Sequence, residues 1–271
     1  MIHQSLSRLA NAIHHAFGGI MIVFLIAPLL AVVPISFSSG SFLSYPLPGF
    51  SLQWYRQVFT GGPWMDALLN SLIVGASVTV LATVMGTLAA FAFARRDLPA
   101  ARSMLGFLIS PMIVPPVISG LGMYFFFGQL GLTSTLPGLV LAHTVLATPF
   151  VVVTVTATLQ GFDMNLLRAA STLGAAPMRS FFGIALPLIA PGIVSGGLFA
   201  FMTSFDDIVV ALFIGGPAQR TLPRQMFDGM RDSINPSTVA MSTFLLLVAF
   251  LTLLCVAWMT QRARRQLQLP T

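Results

Sequence analysis

Lysine and glutamate are absent from this 271-residue chain, and cysteine occurs once. Each absence closes off a class of chemistry. A phosphate-binding loop ends in Gly-Lys-Ser/Thr, so without lysine the chain cannot hold nucleotide phosphates in that way. Any ATP-driven work must then use a nucleotide site on another subunit. Without glutamate there is no His-Glu-x-x-His helix, and neither a Ser/His dyad nor paired intramembrane carboxylates with a base stand out, which weakens an intramembrane enzyme. The single Cys255 excludes an internal disulfide, and its apolar run suits a packed thiol better than a nucleophile. Charge is scarce as well: 7% of residues are charged, against about 25% in soluble domains.

What is present is apolar. Hydrophobic residues make up 56% of the chain, with a mean hydropathy of +0.90. A membrane-spanning helix needs about 20 apolar residues, and six segments meet that length: 17–37, 67–93, 104–128, 136–159, 185–213 and 238–260. The first is too long for the core of a cleaved signal peptide and lacks a prompt small-x-small site, so it is expected as a retained anchor. The expected fold is all-α, a single polytopic transmembrane domain over 1–271 with about six spans.

The arginines orient it. With the amino terminus inside, the inner segments hold Arg8, then Arg95, Arg96 and Arg102, then Arg168 and Arg179, then Arg262, Arg264 and Arg265, nine in all. The outer segments hold four, Arg56, Arg220, Arg224 and Arg231, partly offset by Asp66, Asp228 and Asp232. Both termini are expected in the cytoplasm. The net charge of +6 therefore reflects topology rather than nucleic-acid binding. Trp54, Tyr55 and Trp64, in the outer segment 38–66, are expected at the headgroup level.

The inner loop 160–184 is longer than a turn between spans requires, and it has a helical pattern of its own. Asp163 can cap a helix beginning at Met164. Leu166, Leu167, Ala170 and Leu173 fall on one face, Gly174 stops the helix, and Pro177 suits the first turn of a second. Two short helices at the cytoplasmic surface are expected. A docking element would need them; a simple connector would not.

Arg168-Ala169-Ala170, Gly174 three residues on, and Ile184, Leu186 and Pro187 after nine more resemble the EAA loop of ABC importer permeases. Every spacing fits, but Arg168 stands where that family usually has Glu. Leu52, Trp54, Tyr55, Asn70-Ser71-Leu72, Gly86, Ala89-Ala90-Phe91-Ala92, and His143 with Pro149-Phe150 resemble other parts of the same permease core. Ser204-Phe205-Asp206-Asp207-Ile208-Val209-Val210, followed by Gly216-Pro217 and Leu222-Pro223, resembles the spermidine/putrescine (PotC-type) branch. The resemblance implies the type I ABC importer permease fold, a bacterial inner-membrane location, and a non-catalytic subunit importing a small organic cation such as putrescine or spermidine. It implies that residues 160–187 are a coupling loop seated on an ATPase. It also implies a second, homologous permease chain, a dimer of ATP-binding subunits that hold the ATP and Mg, a periplasmic or extracellular solute-binding protein, and no cofactor or metal bound by this chain. A permease for another amine or amino-acid-like solute is the near alternative. An ATP-independent secondary transporter is the farther one, lacking a visible repeat and leaving the loop unexplained.

Asp206 and Asp207 can be read without the family. A carboxylate within a span costs about 2.5–3.5 kcal/mol on insertion scales, so it faces a cavity or a partner. Adjacent helical residues point about 100° apart. One carboxylate can therefore line a translocation pathway while the other caps or pairs; alternatively both lie at the outer headgroups. His143, deep in the fourth span, is either hydrogen-bonded to a neighbouring helix or a pathway ligand. Pro111, Pro115 and Pro116 are expected to interrupt span three, and Pro187 and Pro191 span five. Gly192-x-x-x-Gly196 offers a close-contact face.

Overall fold

The computed structural model describes residues 2–94, 100–163, 165–232 and 235–267. Arg95, Arg96 and Met164, which entered the orientation and capping arguments, lie outside the described residues. In chain order the helices are α1 (Ile2–Ile35), α2 (Gln53–Phe59), α3 (Pro63–Phe93), α4 (Ala101–Ile113), α5 (Pro116–Gln129), α6 (Leu136–Gln160), α7 (Asn165–Thr172), α8 (Pro177–Ser180), α9 (Leu186–Asp206), α10 (Val209–Ile214), α11 (Leu222–Asp232) and α12 (Pro236–Leu267). The only β feature among the described residues is an isolated bridge between Ser38 and Phe50. Hydrocarbon offers no hydrogen bonds to a backbone, and a helix supplies them from within. Among the described residues, five helical stretches are long and apolar enough to cross a bilayer: Ile13–Ile35, Pro63–Phe93, Leu136–Gln160, Pro177–Asp206 and Pro236–Leu254.

A bent pair is apolar and long enough to add a sixth if it is counted as one span. The expected span 104–128 is not one helix but two, α4 and α5, which meet at 105°. Val114 is extended (φ −71°, ψ 132°), as suits a residue preceding proline. Pro116 then opens α5 at its first position, where a missing N–H costs nothing. Pro111 sits inside α4 without breaking it.

The expected span 185–213 both begins and ends earlier. From Pro177 the helix runs through a π-helical turn at Phe181–Ala185 into α9. The second of the two expected surface helices is therefore the start of the span itself. Pro187 and Pro191 do not interrupt it. The widened turn lies immediately before Pro187, with the Leu186 N–H bonded back to the Phe181 carbonyl. At the other end α9 stops at Asp206; Asp207 is extended (φ −71°, ψ 126°) and the short α10 follows.

The chain forms two compact units, one of Met1–Gly62 with Asp228–Thr271, the other of Pro63–Phe227. In the first, α12 packs against α1 and α2, with Phe59 set edge-on to Phe244. Trp54 Nε1 donates to the Ser38 carbonyl (2.8 Å), and the Tyr55 hydroxyl bonds Ser36 Oγ (2.7 Å). The polar atoms of these two aromatics are thus engaged within the chain, just beyond α1.

In the second unit α3, α6 and α9 pack on one another. Their contact faces are built from small and β-branched residues, including Val78, Ala82, Ala142, Ala147, Val151, Val155 and Ala200, all fully buried. Lipid tails are as apolar as leucine, so helix association relies on close approach rather than on expelling water. Val151 of α6 shows how close this is. A Cβ on Gly86 of α3 would lie 2.6 Å from the Val151 Cβ, and one on Gly196 of α9 would lie 3.1 Å from its Cα. Gly192, one turn earlier, meets Thr158 of α6. The Gly192–Gly196 face therefore packs against α6. Val80, Leu88, Val194 and Leu198, by contrast, are exposed, which suits a surface solvated by lipid.

This packing gives substitutions of opposite sign. Gly192→Ala drives a methyl into Thr158, and overpacking of this kind costs about 1–3 kcal/mol. Gly122→Ala, where nothing lies within 4 Å, gains helix propensity and stabilises by about 0.5–1 kcal/mol. Thermal unfolding of the detergent-purified protein should show the first lowering Tm and the second raising it slightly.

Candidate functional site

Two places carry the sequence-predicted residues. The first is the segment between α6 and α9. Asp163 Oδ1 accepts the Asn165 N–H (2.9 Å), and the Asp163 carbonyl accepts the Leu166 N–H (3.1 Å), so α7 starts at Asn165. Its end has two characteristic bonds: Gly174 N–H to the Ser171 carbonyl and Ala175 N–H to the Ala170 carbonyl, both 3.0 Å. With Gly174 at φ +80°, this is a Schellman stop, in which glycine occupies the left-handed position. Ala170 is buried, whereas Arg168, Ala169 and Gly174 are exposed. Ile184 and Leu186 are half-buried, and Pro187 is exposed on the first turn of α9.

The apolar face expected of α7 is only partly covered within the chain. Leu166 is exposed, Leu173 is 88% exposed, and Met178 and Phe182 just beyond are exposed too. Arg168 Nη1 reaches Asn165 Oδ1 at 3.4 Å, a long contact within the same helix. Phe181, by contrast, sets its ring edge-on to Phe91 at the end of α3. The segment is thus anchored by Ala170 and Phe181 and presents small and apolar groups outward.

The second place is the far end of α9. Asp206 is its last residue and is exposed; it makes no hydrogen bond or ion pair with the described residues. Asp207 has left the helix and turns inward. Its side chain is 12% exposed, and its Oδ2 accepts the Ala211 N–H of α10 at 3.1 Å and stands 3.5 Å from His143 Nε2. His143 is 1% exposed, and its Nδ1 bonds Ser204 Oγ at 3.0 Å. Whether the ring or the hydroxyl donates depends on the tautomer. His143 Nε2 has no hydrogen bond of good geometry, leaving the Asp207 carboxylate as its near polar neighbour. The structure thus brings His143 and Asp207 together and separates Asp206 from both.

Other residues complete this end. Arg224 Nη1 donates to the Ala211 carbonyl (3.0 Å) and the Gly215 carbonyl (2.6 Å) at the end of α10. Asn70 Nδ2 donates to the Ala218 and Arg220 carbonyls, both at 3.0 Å, and Ser71 Oγ accepts the Leu222 N–H at 2.7 Å. Asn70 and Ser71 therefore hold the 217–222 stretch against α3. A cavity of about 490 Å³ lies beside them, lined by Asp66, Asn70, Pro217 and Arg220 among others. A larger one of about 640 Å³, almost wholly apolar, lies between α3, α4 and α6. Among the described residues no three His, Cys, Asp or Glu side chains converge as a metal site requires.

The sequence and the fold are similar to those of known transport proteins. The family described as "Binding-protein-dependent transport system inner membrane component" matches residues 82–265. The putrescine transport system permease protein PotI of Escherichia coli K12 is 34% identical over 255 residues, covering 90% of this chain and 89% of its own. The spermidine/putrescine transport system permease protein PotC of Haemophilus influenzae is 30% identical over 238 residues, covering 88% of this chain and 92% of its own. Among solved structures, a chain of a bacterial ABC transporter involved in the import of the acidic polysaccharide alginate superposes with a TM-score of 0.72 at 15% identity, over 94% of this chain and 96% of its own. At that identity it bears on the fold alone.

The Asn70–Ser71 anchor is directly testable. Ser71→Ala leaves the Leu222 N–H unpaired in a buried position, which costs about 1–3 kcal/mol. Limited proteolysis of the purified protein should then cut faster between 215 and 222, whereas Ser110→Ala, whose hydroxyl bonds only its own helix, should leave that rate unchanged.

Proposed function

The chain belongs to the binding-protein-dependent transport system inner membrane components, and on that premise we propose that it imports a small organic cation of the putrescine or spermidine type. It is a multi-pass inner-membrane protein and the permease subunit of an ABC importer; ATP is hydrolysed in a separate subunit. The observation that carries the substrate class is the likeness to PotI and PotC over nearly the whole chain. Chemistry supports it. An amine entering an apolar pathway loses hydration, and a carboxylate at the mouth offsets part of that loss. The acidic end of α9 supplies one.

The partners we assign are a second, homologous permease chain, a dimer of ATP-binding subunits holding ATP and Mg, and a solute-binding protein. This chain would bind no cofactor or metal of its own. The α7–α8 segment, with Arg168, Ala169, Ala170, Gly174, Ile184, Leu186 and Pro187, would be the coupling loop. Its exposed Leu173 and Met178 are apolar surface of the kind a partner covers. Because helix runs unbroken from Pro177 to Asp206, a push on the loop would pass along α9 to the acidic end. Arg168 has donors and no acceptor, so it would meet a carboxylate or a helix C-terminus where other permeases offer Glu.

The orientation we propose, both termini cytoplasmic, places the loop inside and the acidic end outside. Reporter fusions at positions 45 and 225 should read external, and fusions at 98 and 175 internal. An external signal at 175 would remove the loop from any ATPase.

Transport itself is tested with the four-component complex in proteoliposomes. Labelled putrescine or spermidine should accumulate only with ATP and binding protein; uptake of a neutral amino acid instead would assign a different solute. Gly174→Val forces a β-branched residue into the left-handed region, at roughly 1–2 kcal/mol, and Ala170→Trp overfills a buried site. Both should keep ATPase activity while uptake falls. Arg168→Ala should cost only about 0–1 kcal/mol. Normal coupling in both bulky variants would mean that the loop is not the docking element.

A further inference from the structure

α10 is six residues long, too short to hold its own conformation in isolation, so its place is set by what grips its ends. Asp207 Oδ2 accepts the Ala211 N–H in its first turn, and Arg224 Nη1 donates to the Ala211 and Gly215 carbonyls at its last. Acid at the start and base at the end match the helix dipole. The backbone N–H of Ser134 adds a bond to the Ile214 carbonyl at 2.8 Å. Behind Asp207 stands His143, fully buried, with its ring held by Ser204 of α9. α6 thus presents His143, held by Ser204 of α9, to the Asp207 carboxylate, and that carboxylate is spent on α10.

We propose that Asp207 and His143 are positioning residues that fix α10 against the transmembrane body, and that Asp207 does not itself meet the transported solute. α10 in turn bears on α5. A Cβ on Gly120 of α5 would come within 2.7 Å of the Phe213 ring, so there is no slack between the two helices. Moving α10 therefore moves α5, the helix beyond Pro115. Of the two aspartates it is Asp206, exposed and without a hydrogen bond or ion pair among the described residues, that a cation can reach. That last consequence rests on the transport reading given above; the placement of α10 does not.

The cap and the charge of Asp207 can be separated, because an asparagine Oδ1 accepts an N–H as a carboxylate does but carries no charge, whereas alanine does neither. The assembled complex in lipid nanodiscs is compared as wild type, Asp207→Asn, Asp207→Ala and Asp206→Asn. The readouts are hydrogen exchange of residues 208–216 and, in proteoliposomes, uptake of labelled putrescine. Loss of a capping group shifts local opening by about fivefold or more, so Asp207→Ala should raise exchange by that factor and lower uptake. Asp207→Asn should return both close to wild type, and Asp206→Asn should leave exchange unchanged. Native exchange in Asp207→Ala would overturn the proposal. So would an Asp207→Asn variant with native exchange that transports as poorly as Asp207→Ala, since the charge would then act on the solute. If the wild-type complex carries no putrescine, the transport reading fails, and the exchange comparison still decides the role of Asp207.

Discussion

Val151 has glycine on two sides. Gly86 of α3 and Gly196 of α9 both close on it, and neither position has room for a side chain without displacing α6. In a bilayer, where apolar side chains gain little by leaving lipid for one another, such contact at van der Waals distance is what holds helices together. The remaining functional geometry hangs on it. α6 brings His143, and α9 brings Ser204, Asp206 and Asp207 at one end and merges with the loop helix at the other. A shift in the α6–α9 contact would move the histidine and the carboxylate apart.

The second constraint is the cost of a polar group without a partner in the helical body; the hydroxyls of Thr83, Thr87 and Thr156 have none among the described residues, but the groups at the acidic end do. His143 and Ser204 satisfy each other across two helices, and Asp207 engages the backbone of α10. Arg224 closes the far end of that helix and Asn70 holds the following loop. Other threonines take a cheaper route, returning their hydroxyls to the carbonyl one turn back, as Thr144, Thr148 and Thr154 do. The exposed exceptions lie at opposite ends of the helix Pro177–Asp206: Asp206 at one, and Met178, with Leu173 just ahead of the helix, at the other.

Much of this was legible in the sequence because it is local. Span lengths follow from apolar runs, the stop at Gly174 from its place after the last apolar position of α7, and the break in span three from Pro115 and Pro116. That Gly192 and Gly196 form a close-contact face followed from their spacing; that the face meets α6 did not. What was not legible depends on distance along the chain or on how a proline is accommodated. Pro187 and Pro191 read as interruptions, yet the widened turn at Phe181–Ala185 absorbs the strain and the helix continues. The two aspartates looked alike as a pair on a helix; only the departure of Asp207 from helical backbone separates them. Ser204 entered only as part of a motif and Arg224 only as an outer charge; their roles stayed hidden because their partners lie 61 and 13 residues away. Asn70 and Ser71 were visible only through resemblance, and their role became physical once the loop 148–151 residues downstream was seen to rest on them.

If α9 ties the loop at one end to α10 at the other, as proposed, an event at the ATPase reaches the acidic end. The most direct measurement is hydrogen exchange of residues 208–216 in the assembled complex, with and without ATP trapped in the ATPase by vanadate. With that tie in place, wild type should show a nucleotide-dependent change that Gly174→Val abolishes. The same exchange in both nucleotide states of the wild-type complex would contradict it.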